Sequence, residues 1–139
     1  MAHWLFKSEP EAISFDSLWH KLPADEEWHG IRNYGARNNM RLMQQGERAF
    51  FYHSNTGKEI VGIVEVTRLS QPETHGTDPR WDCVWFRPIA RFHRPVTLEA
   101  CKVQPGLENM VLINNSRLSV QPVSDGEWRI ICTLGGVAP

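Results

Sequence analysis

The sequence predicts an α+β fold: a small mixed β-barrel of about five to six strands with helices packed around it. Three observations carry that expectation. Residues 47–54, 59–69 and 81–92 read ERAFFYHS, EIVGIVEVTRL and WDCVWFRPIARF, three segments rich in Val, Ile, Phe, Tyr and Trp with a period near two. The spacers SNTGK and QPETHGTDP are turn-rich, which makes the three a meander. IVGIV is apolar at consecutive positions, as suits a strand buried on both faces when a sheet curls and helices cover its outside.

The remaining elements follow in chain order. AHWLFKS, residues 2–8, is bulky and apolar and stops at Pro10, so it predicts a first strand. Ser14 can cap a short helix on which Phe15, Leu18 and Trp19 share one face. LPADEE reads as an exposed acidic loop, with Trp28 in a turn after it. From Tyr34 to about Gln44 the spacing is helical, with Ala36, Met40 and Met43 facing the core, Arg37 and Arg41 on another face, and Gly46 closing the helix. Pro88 and Pro95 send the third meander strand to an edge or require a bulge. TLEAC predicts a brief helical turn, VLI an apolar segment and SRLSVQPVS a last strand. SDGEW opens a helix through a capping box, Ser124 with Glu127, that Gly135 ends, giving about three helices in all.

The chain has 139 residues, 41% hydrophobic and 22% charged, with no repeat or linker, which fits one soluble globular domain over residues 1–139. MAHWLFKSEP lacks the pattern of a secretory signal, and no apolar run is long enough for a membrane span, so no membrane partner is expected. Cys83, Cys101 and Cys132 are odd in number and contain no CxxC, which predicts reduced thiols. Without clusters of lysine and arginine for nuclear targeting, the expected setting is bacterial and cytoplasmic, and the expected state a monomer.

A formal net charge of −1 excludes a protein that coats nucleic acid through bulk charge. Yet residues 28–41, WHGIRNYGARNNMR, hold three arginines, three asparagines and two aromatics without one acid. Arg37 and Arg41 at i, i+4 repel each other by about 0.2–0.5 kcal/mol, so an outside anion would stabilise them; pairing with Glu9, Glu11 or the DEE loop is the alternative. GxSxG, HExxH, HxE with PCxxC, GxxxxGK[ST] and GxGxxG are all absent. His3, His20, His29, His53, His75 and His93 never reach metal-ligand spacing with one another or with a cysteine, so neither metal nor cofactor is expected. His53 and Ser54 are adjacent on a strand and point to opposite faces, which excludes a dyad; His53 should face the side that Ala49 and Phe51 face.

WLFKSEP, WHGIRNYGARNNMR, FFYHSN, IVGIVEV, PRWDCV, PVTL and RLSVQPVS, in this order, resemble an EVE domain, one of the PUA-like barrels related to the YTH readers of N6-methyladenine. The resemblance runs from residue 4 to about residue 131. It implies a curled mixed sheet with a concave aromatic pocket, and recognition of a modified base, 5-methylcytosine or its hydroxymethyl derivative in DNA, with modified RNA as an alternative. Trp28 occupies the place of a tryptophan that walls the base cage in the YTH relatives. By that implication Trp28 stacks on the base with Phe51 or Tyr52 as second wall. Asn33, Tyr34, His53 and Ser54 supply polar edges, Lys7 and Ser8 the floor, and Arg32, Arg37 and Arg41, with Lys7 and Arg117, hold phosphates. The loop TRLSQPETHGTD is short for the family, and no nuclease or NTPase segment is present, so a downstream effect implies a separate effector protein. Two other classes stay open: an enzyme acting on a base with Glu9 and His53 as acid and base, and a pocket for a free small metabolite.

Overall fold

The computed structural model describes residues 1–115 and 117–139. Six strands form one mixed sheet: β1 (His3–Ser8), β2 (Glu26–Trp28), β3 (Arg48–His53), β4 (Glu59–Pro72), β5 (Asp82–Thr97) and β6 (Val120–Val123), in the order β2-β5-β4-β3-β1-β6. Only β1 and β3 run parallel, and the other neighbours are antiparallel. The sheet does not close, since β2 and β6 remain its edges.

It curls strongly nonetheless. Four strand-to-strand steps separate β2 from β1, roughly 19 Å on a flat sheet. The Trp28 and Phe6 ring centres, one from each strand, lie 5.5 Å apart. The long β4–β5 hairpin makes this possible: its register shifts at four places, and such irregularities increase local twist and bend. One shift adjoins Pro88, so the proline is absorbed by a bulge and β5 lies inside the sheet rather than at an edge.

Alternation along the strands sorts their side chains onto two cores. Trp4, Phe6, Ala49, Phe51, Val64 and Val66 face the concave side with Phe86 and Trp28. Leu5, Phe50, Tyr52 and Ile63 face the other. Both sides are covered by helices, five among the described residues: α1 (Phe15–His20), α2 (Tyr34–Leu42), α3 (Leu98–Val103), α4 (Val111–Asn114) and α5 (Asp125–Gly135). None of them is long and apolar enough to cross a membrane. Helix α2 touches β4, β5 and β6 and so lies across the open side of the curl. Gly62 in β4 is obligatory, because a Cβ there would stand 2.4 Å from the Phe15 ring of α1.

Several local expectations need correction. The acidic loop is half strand: Glu26–Trp28 pairs with β5, which places Trp28 on an edge strand and not in a turn. Trp19 does share the Phe15 face of α1, with ring centres 5.9 Å apart, but stays 37% exposed beneath the Arg91 guanidinium. Met43 ends α2, and Gly46, at φ +90°, serves the turn into β3 by donating its N–H to Val66 O at 2.8 Å. Of the expected strand SRLSVQPVS, Ser116 lies outside the described residues and only Val120–Val123 is strand among the rest, while VLI is helical. The Ser124–Glu127 capping box is present, but the left-handed residue that ends α5 is Gly136, while Gly135 lies inside the helix against Phe92.

Candidate functional site

The parallel pair β1 and β3 ends at a cleft of about 440 Å³. Three backbone hydrogen bonds tie its segments together: Ser54 N to Ser8 O at 2.8 Å, Lys7 N to Ser119 O at 2.9 Å, and Leu98 N to Lys58 O at 2.9 Å. Tyr52 is buried beneath, and burial raises its phenol pKa. The Lys7 Nζ lies 5.8 Å from the Tyr52 ring centre, and desolvation pulls its pKa down, which favours an anion beside it. Lys58 and Arg117 bring two exposed cations to the rim, and Glu9 brings a carboxylate. The Ser54–Lys58 turn carries Asn55 at φ 64° and Lys58 at φ 49°. For lysine that conformation costs roughly 1–2 kcal/mol, so the fold spends stability to shape this rim.

Of the residues expected at the site, the cleft gathers Lys7, Tyr52, Ser54 and Arg117. Ser8 sits under it, buried, its hydroxyl donating to Ile13 O at 2.7 Å and so fixing the loop after β1. Asn55, Lys58, Leu98, Ser119 and Glu9 complete the lining. The SNTGK turn and a segment following β1 were visible in the sequence, but not their convergence with residues 117–119.

Trp28 and Phe51 belong to the concave core instead. Trp28 is 6% exposed and meets Phe6, Phe51 and Phe86, and Phe51 is fully buried. Since Tyr52 is on the opposite face of the sheet, it cannot be the second wall of a cage built on Trp28. The Trp28 Nε1 is buried without an acceptor among the described residues.

The arginine cluster forms a third group, on the outside of α2. Its missing acids arrive from far along the chain. Arg32 forms a two-pronged pair with Glu73 at 2.9 and 3.0 Å, and Arg41 binds the buried Asp82 at 2.8 and 3.3 Å. The arginines hold both carboxyl pKa values below their ordinary range. Arg37 instead donates to Arg80 O and to Asn38, and its guanidinium lies 4.7 Å from the Tyr34 ring centre. Tyr34 is 49% exposed and packs on Trp81. Asn33 is committed to capping α2, accepting from Ala36 N at 2.9 Å.

His53 faces Phe51, as the alternation predicted, and its Nε2 accepts the Phe15 N–H at 3.1 Å. A smaller pocket of about 230 Å³ contains Glu27, His29, Glu73 and His75. Glu73 is engaged by Arg32 and Gly30, and Glu27 by the Thr74 N–H. Among the described residues no group of three or more His, Cys, Asp or Glu side chains is placed to hold a metal ion.

Comparison with known proteins ties this arrangement to relatives. Human thymocyte nuclear protein 1 is 32% identical over 165 aligned residues, covering 96% of this chain and 73% of the relative. That stretch is longer than the 139 residues of this chain, so the relative carries insertions. A crystal structure of a protein from Agrobacterium tumefaciens superposes with a TM-score of 0.96 at 47% identity, covering 99% of this chain and 95% of that one. The crystal structure of human THYN1 protein in complex with 5-methylcytosine containing DNA matches with a TM-score of 0.87 at 30% identity, with 100% of both chains covered. The EVE domain family model matches residues 2–134, and the chain belongs to that family.

Proposed function

We propose that this chain is a non-catalytic reader of a modified cytosine, 5-methylcytosine or 5-hydroxymethylcytosine, in DNA. The observation that carries the reading is the cleft: in a chain of net charge −1, Lys7, Lys58 and Arg117 converge on one concavity over a buried tyrosine. Its size is within the range of small-ligand sites, roughly 300–1,000 Å³, and suits one displaced nucleotide. Displacing a base costs a few kcal/mol, and the cations offset that through phosphates on either side. Arg37, which makes no direct ion pair among the described residues, extends the track, whereas Arg32 and Arg41 are held by Glu73 and Asp82. The DNA in the related human THYN1 structure supports the choice of polymer and modification. In this reading the protein acts as a monomer and passes any effect to a separate effector protein.

Two features support binding without catalysis. The His53 Nε2 lone pair is occupied by the Phe15 N–H, so it is not free to act as a general base. The three thiols are buried, with pKa values pushed up to about 12 for Cys83 and about 11 for Cys101 and Cys132, so no thiolate forms near neutral pH.

The unsatisfied Trp28 Nε1 favours a second reading, in which the base reaches the concave core and the indole donates to it. Fluorescence anisotropy with oligonucleotides carrying one cytosine, 5-methylcytosine or 5-hydroxymethylcytosine tests both. Preference for a modified base that Trp28→Phe leaves untouched, with overall affinity for every oligonucleotide lowered by Lys58→Ala, supports the cleft. Loss of preference in Trp28→Phe supports the core site. Equal binding to all three by the unaltered protein contradicts both.

A further inference from the structure

A cleft that reads a methylated cytosine must also refuse thymine. The two pyrimidines share the ring, the stacking face and the 5-methyl group. They differ at position 4, an amino donor in one and a carbonyl acceptor in the other, and in the proton at N3. Tyr52 below the base cannot tell them apart. Lys7, Lys58 and Arg117 are donors, and by themselves they favour an acceptor edge, which thymine offers at its 4-position.

Among the described residues Glu9 is the one acid that lines this cleft. It follows β1 directly, and its backbone is fixed: Glu9 O accepts from Ala12 N at 2.9 Å and Ile13 N at 3.0 Å. The side chain is exposed, and its carboxylate has no hydrogen-bond or ion-pair partner among the described residues. An ionised carboxylate only accepts, so it pairs with the cytosine amino group and repels the thymine 4-carbonyl. Thymine's remaining N3–H stands beside that repelled oxygen and does not compensate.

We infer that Glu9 is the specificity residue of the cleft, selecting an amino-bearing pyrimidine and excluding thymine. The inference rests on the cleft being the base site. The competing role for Glu9 is a counter-charge that merely moderates three cations, and the two roles separate cleanly. Removing a counter-charge strengthens binding to every DNA alike, whereas removing the acceptor raises thymine selectively.

The test is anisotropy titration of the whole chain, unaltered and as Glu9→Gln, with single-stranded oligonucleotides differing at one position: cytosine, 5-methylcytosine or thymine. The melting temperature of each protein is measured alongside to confirm folding. The unaltered protein should prefer 5-methylcytosine to thymine by about tenfold or more, the scale of one good edge contact. In Glu9→Gln, whose amide can turn to donate or accept, the ratio should fall to about threefold or less. A ratio unchanged by Glu9→Gln, with or without a uniform gain in affinity, overturns the inference. So does equal binding of thymine and 5-methylcytosine by the unaltered protein. Failure of the reader hypothesis has a separate signature, equal binding of 5-methylcytosine and cytosine.

Discussion

The Phe6 and Trp28 rings meet at 5.5 Å although β3, β4 and β5 lie between their strands in the sheet. This contact closes the concave core, with Phe86 against both rings and Phe51 against Trp28. Trp28→Ala should therefore cost about 3–5 kcal/mol, the range for emptying a buried aromatic site. Urea denaturation checks it. Trp28→Phe, which keeps most of the volume, should cost much less.

Glu47 should prove a second point of stability. It is buried and accepts from Trp4 Nε1 at 3.0 Å, Gln44 N at 2.8 Å and Ala2 N at 2.9 Å. Burial alone would raise its pKa, but the three donors outweigh it and hold the carboxyl below its ordinary value. Glu47→Ala leaves those donors without an acceptor and should cost about 2 kcal/mol by denaturant titration.

His53 gives stability a pH dependence. Burial lowers its pKa below 6.5, against the opposing pull of Glu59, Asp16 and Glu11, so the folded protein disfavours the charged ring. Protonation would also turn the Nε2 acceptor into a donor facing the Phe15 N–H. Above pH 6.5 the ring is neutral in both states and contributes no slope. As pH falls below 6.5 the unfolded chain takes up the proton first, and stability declines until the folded-state pKa is passed. Denaturation midpoints between pH 7.5 and 5 should fall less steeply for His53→Gln than for the unaltered protein.

Much of this fold was legible because its signals are local. The two-residue alternation of ERAFFYHS and EIVGIVEV located β3 and β4, and Ser14 and Ser124 marked helix starts that the structure keeps. What stayed hidden is set by distant partners. EEW carries no strand signal of its own and is extended only because β5 pairs with it. The acid-free cluster acquires its acids across 41 residues, Arg32 with Glu73 and Arg41 with Asp82. Alternation placed Phe51 and Tyr52 on opposite faces but could not say which face meets the cleft. The curl of β4 and β5 decides that, and of the four register shifts behind it only the one beside Pro88 had a signal in the sequence.

These pairings predict which arginines matter for DNA. With about three phosphate contacts the slope of log K against log salt should be near −2.7 for a duplex and shallower for a single strand. Arg117→Ala should reduce the slope by about one, and Arg41→Ala, whose guanidinium is held by Asp82, should leave it nearly unchanged. Anisotropy at four or five salt concentrations reads both.

The most direct test of the cleft as base site is an NMR titration of the labelled protein with a short DNA carrying one 5-methylcytosine, compared with the unmodified sequence. Amide shifts specific to the modified DNA should concentrate at residues 7–9, 54–58 and 117–119. Modification-specific shifts confined to the outer face of α2 or to the concave core around Trp28, with residues 54–58 unmoved, would contradict it.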